Sequence, residues 1–161
     1  MSKIKLQQPV IHTPSFKRYG VQQSYLAGEL KKLSLHCFPV TDDYVLDAWY
    51  YYTNLKGWAK ILPDLVSHSN LYKSNVFDCE DYALKAQVEC ALRYGLNSFR
   101  MCIGNMPQGM HGFNIFPYGD ETGIQGFMLF EPNDGFDWAG NAFKIGDNGY
   151  VPMDVFITSR R

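Results

Sequence analysis

Long apolar runs are missing from this chain of 161 residues. No stretch approaches the roughly 20 consecutive apolar residues that a membrane-spanning helix needs, although 46% of the residues are hydrophobic. The opening residues, Met1 to Lys5, are not followed by the apolar segment of a signal peptide. We therefore expect no membrane partner and a cytoplasmic protein, with export by another route left open.

An excess of charge of either sign is also missing. The chain has 15 basic and 16 acidic residues, a net charge of −1, and its basic residues are not gathered into one stripe. Nucleic-acid-binding surfaces neutralise several phosphates with clustered lysine and arginine. The composition therefore predicts no nucleic-acid partner, and it leaves the oligomeric state open.

Paired cysteines are missing as well. The four cysteines, at positions 37, 79, 90 and 102, form no C-x-x-C motif, and a chain this long and apolar does not need disulfides to fold. Cys90 falls on the apolar side of a predicted helix and Cys102 within a predicted strand, so both are expected in the core. Cys37 and Cys79 remain, and of the four cysteines only Cys79 begins a predicted helix.

The length and the lack of repeats predict one domain over residues 1–161, with residues 1–15 as an extended arm. Hydrophobic periodicity predicts a short helix over residues 22–33 and another from Tyr44 to about Leu55, capped by Thr41, Asp42 and Asp43. A third helix is predicted from Cys79 to Tyr94, ending at Gly95.

The character of the sequence changes to strands after Gly95. Aromatic and branched residues predict strands over residues 99–104, 112–118 and 124–131, the last two joined by a hairpin loop at residues 119–123. Strands at 143–145 and 150–157 are predicted to form a second hairpin through residues 146–149. Helices followed by an antiparallel meander predict an α+β fold with the sheet packed on the Cys79 helix.

Cys79 begins its predicted helix between carboxylates. A helix N-terminus lowers the pKa of a thiol there, because the unpaired N–H groups favour negative charge. Asp78, Glu80 and Asp81 act in the opposite direction, since nearby carboxylates disfavour another anion. A thiolate at Cys79 therefore calls for a positive partner, either an imidazolium or a metal.

His111 and Glu131 are the predicted partners of Cys79. His111 begins a strand after a loop, where an imidazole can take the thiol proton, and Glu131 ends the strand that pairs with it, where it can orient the ring. Asn133 and Asp134 are the alternative orienting residues. The competing interpretation is that a Cys, a His and a Glu occur here by chance.

These segments resemble motifs of the papain-like/transglutaminase-like superfamily. The run from Asp78 to Ala83 resembles the cysteine motif of bacterial transglutaminase-like cysteine proteinases, His111 to Asn114 resembles their histidine strand, and Glu131 to Asn133 resembles their Asp-Pro-Thr. The resemblance covers about residues 70–135 and extends to the calcium-dependent protease domain of fungal chimeric lectins. Glu131 departs from the commoner Asp, and the first seventy residues match no known motif.

The resemblance implies a papain-like/transglutaminase-like core and a cysteine protease or amide hydrolase acting on a protein or peptide. Cys79 would be the nucleophile, His111 the general base and acid, and Glu131 the orienting residue, with Asn75 or Tyr72 helping the Cys79 backbone N–H to form an oxyanion hole. No organic cofactor is expected. Two alternatives stay open: a transglutaminase-type acyltransferase, and a catalytically idle binding or structural module.

The resemblance also implies calcium beside the nucleophile. Asp78 and Glu80 fall at positions where carboxylates hold calcium in one branch of the superfamily, and Asp81 is a third candidate ligand. Calcium takes six to eight oxygens, so further ligands would have to come from backbone carbonyls or from residues 131–137. The structural alternative is that Asp78 and Asp81 only cap the helix.

Overall fold

The computed structural model describes residues 14–38 and 47–157. Its helices are α1 (Gln23–Lys32), α2 (Leu55–Ile61) and α3 (Cys79–Tyr94). The prediction of α3 is confirmed at both ends, since it stops at Gly95 with a φ of 66°, the left-handed conformation that glycine adopts without steric cost. The predicted arm lies outside the described residues up to position 13, and so do Thr41, Asp42 and Asp43.

The helix predicted from Tyr44 to Leu55 is wrong over its described part. Residues Trp49–Tyr52 form a strand in which exposed and buried side chains alternate, and α2 begins only at Leu55. Alternation with a period of two is the pattern of a half-buried strand. The side chain of Asn54 caps α2 by accepting a hydrogen bond from the N–H of Gly57 at 2.8 Å.

Eight strands are described. They are β1 (Tyr19–Gln22), β2 (His36–Phe38), β3 (Trp49–Tyr52), β4 (Arg100–Met106), β5 (Gly109–Asp120), β6 (Gly123–Phe130), β7 (Ala142–Phe143) and β8 (Val151–Phe156). Strands β1 and β3 form an antiparallel ribbon, and the other six form one sheet in the order β2-β8-β4-β5-β6-β7. Only β2 and β8 run parallel within that sheet, so the predicted α+β class is confirmed with a mixed sheet.

The first predicted hairpin is present and the second is not. Strands β5 and β6 pair through a tight turn at residues 121–122. Strands β7 and β8, in contrast, lie apart: β7 pairs with β6 at one edge, and β8 lies between β2 and β4. The segment at residues 146–149 has the glycines of a hairpin loop, but it carries the chain across the sheet.

Both faces of the sheet are covered, which places β5 in the centre of the core. One hydrophobic cluster contains Leu26 and Leu30 of α1 with Ile115 of β5. The other contains residues of α2 and α3 with Phe116, the next residue of β5. Helix α3 packs on β4 and β5, as predicted for the Cys79 helix.

Among the described residues, no helix is both long and apolar enough to span a membrane.

Candidate functional site

Cys79 is the first residue of α3 and lies where Gly112 of β5 approaches the backbone of the helix closely. Asp78 precedes it as the N-cap and forms a capping box with Asp81. A Cβ atom on Gly112 would lie 2.9 Å from both the backbone N and the Cα of Glu80. Only glycine fits at this position of β5, and its neighbour His111 is thereby held against the first turn of α3.

Glu131 contacts the Nε2 atom of the His111 ring. The His111 Nε2 and Glu131 Oε2 atoms are 2.7 Å apart, and Glu131 is fully buried. The backbone N–H of Asn133 donates to the other carboxylate oxygen at 2.9 Å, and the Tyr150 hydroxyl donates to Oε2 at 2.8 Å. Three polar partners compensate for the loss of water around this carboxylate, which would otherwise be costly to bury.

The His111 ring is held in its charged form by its neighbours. Burial is the largest single influence on its pKa and lowers it. Hydrogen bonds with Cys79 and Glu131, together with the negative charge of both groups, outweigh burial and raise the pKa of His111 to about 9. Because Nε2 faces Glu131, the nitrogen that remains for Cys79 is Nδ1. At neutral pH the thiol therefore has an imidazolium as its partner.

The other three cysteines have no such partner among the described groups. Cys90 and Cys102 are completely buried, and desolvation raises the pKa of each thiol well above the ordinary value. Desolvation also raises the pKa of the half-buried Cys37, although Lys31 partly offsets it. The prediction that Cys90 and Cys102 belong to the core is confirmed.

The carboxylates around Cys79 divide between two roles. The Asp81 Oδ2 atom accepts a hydrogen bond from the Asp78 N–H at 3.3 Å, and the Asp78 Oδ2 atom accepts one from the Asn75 N–H at 3.0 Å. Glu80 is exposed, and its Oε2 lies 3.3 Å from the Cys79 Sγ atom. Ligand atoms of Asp78, Cys79 and Glu80 lie within 4.8 Å of one another. Asp78 and Asp81 both belong to the helix cap, and Glu80 lies outside it. Calcium binding by Asp78, Glu80 and Asp81 stays a prediction.

The remaining predicted site residues lie around the entrance to α3. Tyr72 and Asn75 are exposed in the loop before the helix, and Asn75 has a positive φ of 59°. Asp134 accepts a hydrogen bond from the Ser69 N–H at 2.6 Å, so it fixes this loop and leaves Glu131 as the acid that meets His111. The oxyanion roles of Tyr72 and Asn75 stay predictions.

Aromatic residues that the sequence did not reveal enclose the imidazole. The ring centroids of Phe136, Tyr150 and Phe113 lie 5.4, 5.7 and 6.1 Å from that of His111. Tyr150 immediately precedes β8, a strand whose place in the sheet the sequence did not predict. Two aromatic residues at positions 136 and 138, five and seven residues after Glu131, were the signal available.

Comparison with known proteins shows a shared fold and little sequence similarity. No family model matches the chain, and no curated protein sequence matches it. A solved structure described as a complex of PSL1a with E64 shares 18% identity at a TM-score of 0.54. A structure of Polyporus squamosus lectin bound to the human-type influenza-binding epitope Neu5Acα2-6Galβ1-4GlcNAc shares 15% identity at a TM-score of 0.55. The matches cover 85% of this chain but only 51% and 49% of the two neighbours.

These comparisons correct the predicted family and function. One of these neighbours is described as a lectin. The predicted membership in the papain-like/transglutaminase-like superfamily is therefore wrong, and so is the predicted cysteine protease. No comparison tests the acyltransferase alternative. The predicted peptide substrate likewise has no support. The physical reason is that three short motifs around Cys79, His111 and Glu131 describe a local constellation, which does not by itself determine fold or activity. What is established is a fold shared with about half of a lectin.

Proposed function

We propose that the protein is a binding module that retains an electrophilic ligand through the thiol of Cys79. The observation that carries the proposal is the hydrogen-bonded series of Cys79, His111 and Glu131 at the N-terminus of α3. An imidazolium beside a thiol, with the dipole of a sixteen-residue helix behind it, stabilises the thiolate, and the thiolate is the nucleophilic form.

The covalent step is balanced by the residues of the site. The Cys79 sulfur would attack an electrophilic carbon, such as that of an epoxide, so that a C–S bond forms and the C–O bond of the ring opens. His111 would donate its Nδ1 proton to the oxygen released from that carbon, which stays on the neighbouring carbon as a hydroxyl group, while Glu131 keeps the other ring nitrogen in place. No electron acceptor or further reactant is needed.

A non-catalytic binding module is the alternative that the comparisons favour, and retention without turnover is our extension of it. Of the predicted alternatives, the non-catalytic binding module agrees with a neighbour that is described as a lectin. PSL1a is described in complex with E64, which makes this thiol-reactive epoxide a suitable probe for the present chain. The chain spans about half of each neighbour, so the sugar ligand of the lectin is not assigned to the Cys79 site.

Intact-mass spectrometry with E64 and with iodoacetamide near pH 6 tests the proposal. We expect one adduct per chain, mapped to Cys79 and stable over hours. Cys79→Ser should abolish labelling, and His111→Gln should slow it by about tenfold or more, because the thiolate loses its charged partner. Cys37→Ser is the matched control and should label at the wild-type rate.

Two results would overturn the proposal. Labelling of Cys37 as fast as Cys79 would show that the Cys79 site confers no special reactivity. Continuous release of product from a fluorogenic peptide amide, abolished by Cys79→Ser, would show turnover in place of retention.

A further inference from the structure

A second concave site lies away from Cys79, between the β1–β3 ribbon and the tip of the β5–β6 hairpin. Its volume is about 430 Å³, within the range of roughly 300–1,000 Å³ typical of small-molecule sites. Tyr25 of α1 and Trp49 of β3 line it together with Gln22, Asp120, Glu121 and Thr122. None of the residues proposed to bind at Cys79 lines this cavity.

Two large aromatic rings are left facing solvent in the cavity. Trp49 is 49% exposed and Tyr25 is 42% exposed. A ring of this kind offers a flat apolar face together with a polar N–H or O–H group. Such a face fits a ligand that has apolar C–H surfaces and hydroxyl groups at once, which is the chemistry of a sugar ring.

The polar wall of the cavity is fixed in advance by the hairpin turn. The Asp120 Oδ1 atom accepts hydrogen bonds from the N–H and the hydroxyl of Thr122 at 2.8 and 2.6 Å, and Oδ2 accepts one from Gln125 at 2.7 Å. The Tyr52 hydroxyl donates to the backbone oxygen of Asp120 at 3.0 Å. A prearranged set of polar groups lowers the entropy lost when a ligand binds.

The charge of the cavity discriminates among ligands. Hydrogen bonds from Thr122 lower the pKa of Asp120, and a backbone hydrogen bond and then Lys17 lower that of Glu121. Both carboxylates are therefore ionised near neutral pH and oppose an anionic ligand. An organic cation is also less suited, because Lys17 already pairs with Glu121 at 3.3 Å and Asp120 already accepts three hydrogen bonds.

We infer that this cavity binds one or two units of a neutral saccharide. Trp49 and Tyr25 would pack against the C–H faces of the sugar, and Gln22, Thr122 and the remaining lone pair of Asp120 Oδ2 would contact its hydroxyls. The inference does not depend on the Cys79 site, and it differs from the sialylated epitope of the neighbouring lectin because the cavity carries carboxylates where a sialic acid would need cationic partners.

Calorimetric titration of the full chain tests the inference with four neutral disaccharides: lactose, maltose, cellobiose and chitobiose. We expect at least one to bind, with an association constant reduced at least tenfold by Trp49→Ala and by Tyr25→Ala. Tyr51→Ala is the matched control, because Tyr51 is an exposed aromatic residue of the same strand that does not line the cavity. It should change the association constant by less than twofold.

The charged comparators are 6′-sialyllactose and choline, and neither should compete with the neutral disaccharide. Cys79→Ser should bind it as wild type does, which separates this inference from the proposal for the thiol. Binding of none of the four disaccharides, equal losses in Trp49→Ala and Tyr51→Ala, or displacement by choline would overturn it. Circular dichroism of each variant shows that the comparison is between folded proteins.

Discussion

At the scale of single residues, the Cys79 site depends on how one buried carboxylate organises its neighbours. Glu131 holds the His111 ring, the Tyr150 hydroxyl and the Asn133 N–H at once. The ring is then fixed at Nε2 and available to Cys79 at Nδ1. Loss of the Glu131 charge should therefore change the protonation of His111 more than it changes the positions of the side chains in the site.

The raised pKa of His111 predicts a loss of stability at alkaline pH. The pKa is about 9 in the folded chain and near 6.5 in an unfolded one. This contribution to stability is therefore fully present below about pH 6.5 and is lost as the pH rises through about 9. Its upper size is on the order of 3 kcal/mol. Urea unfolding at pH 6 and pH 9.5 should show the decrease.

Glu131→Gln provides the comparison for this prediction. The substitution keeps the volume of the side chain and removes its charge, so the pKa of His111 should fall towards its ordinary value, as an NMR titration of the ring would report. The difference in unfolding free energy between pH 6 and 9.5 should shrink accordingly. An equal pH dependence in wild type and variant would assign the effect to other groups.

The sequence predicted the members of this site better than their surroundings. Cys79 and His111 were recognisable because a helix start and a strand start are local patterns, and Glu131 followed because β5 and β6 are joined by a short turn. Tyr150 was not recognisable. It immediately precedes β8, and it reaches the site only because β8 pairs with β4 in the sheet. No local sequence pattern encodes that pairing.

At the scale of elements, the N-terminus of α3 brings carboxylates close to a thiol that the proposed function requires in ionised form. Glu80 lies 3.3 Å from the Cys79 sulfur, and its charge disfavours a thiolate. A cation on Glu80 and Asp78 would remove this conflict. The calcium site therefore stays a prediction for these two residues and Asp81, although Asp78 and Asp81 also form the helix cap.

We predict that millimolar calcium raises the melting temperature, because a ligand that binds only the folded state stabilises it by mass action. Chelator should reverse the shift, and Glu80→Ala should abolish it. Glu89→Ala, which removes an acidic residue elsewhere in the same helix, should leave the shift unchanged. A melting temperature indifferent to calcium would leave Asp78 and Asp81 as capping residues only.

The elements themselves were predictable where one period dominated. Helix α3 and the β5–β6 hairpin carry clear signals of one kind. Residues 44–55 carried two, since Val45, Leu46, Trp49 and Tyr52 have helical spacing whereas the run Trp49–Tyr52 also suits a strand. Pairing with β1 stabilises the strand. A short stretch of sequence does not reveal that long-range contact.

At the scale of the whole molecule, β5 connects the two hydrophobic clusters. Its successive residues Ile115 and Phe116 enter opposite faces of the sheet, the first towards α1 and the second towards α2 and α3. The Phe116 ring lies 4.6 Å from that of Trp58 and 5.6 Å from that of Phe99. Neither cluster can lose its order without affecting the strand that serves both.

This arrangement predicts a single cooperative unfolding transition, which the expected single domain also requires. Phe116→Ala should cost about 3–5 kcal/mol and Ile115→Ala about 2–5 kcal/mol, since each leaves a cavity in a packed core. In each variant, tryptophan fluorescence and far-ultraviolet circular dichroism should report the same midpoint. Leu92→Ala, at a position 74% exposed on α3, is the control and should change stability by less than about 0.5 kcal/mol. Separate midpoints for the two probes in Ile115→Ala would show that the faces of the sheet unfold independently, and would contradict both the cooperativity and the single domain.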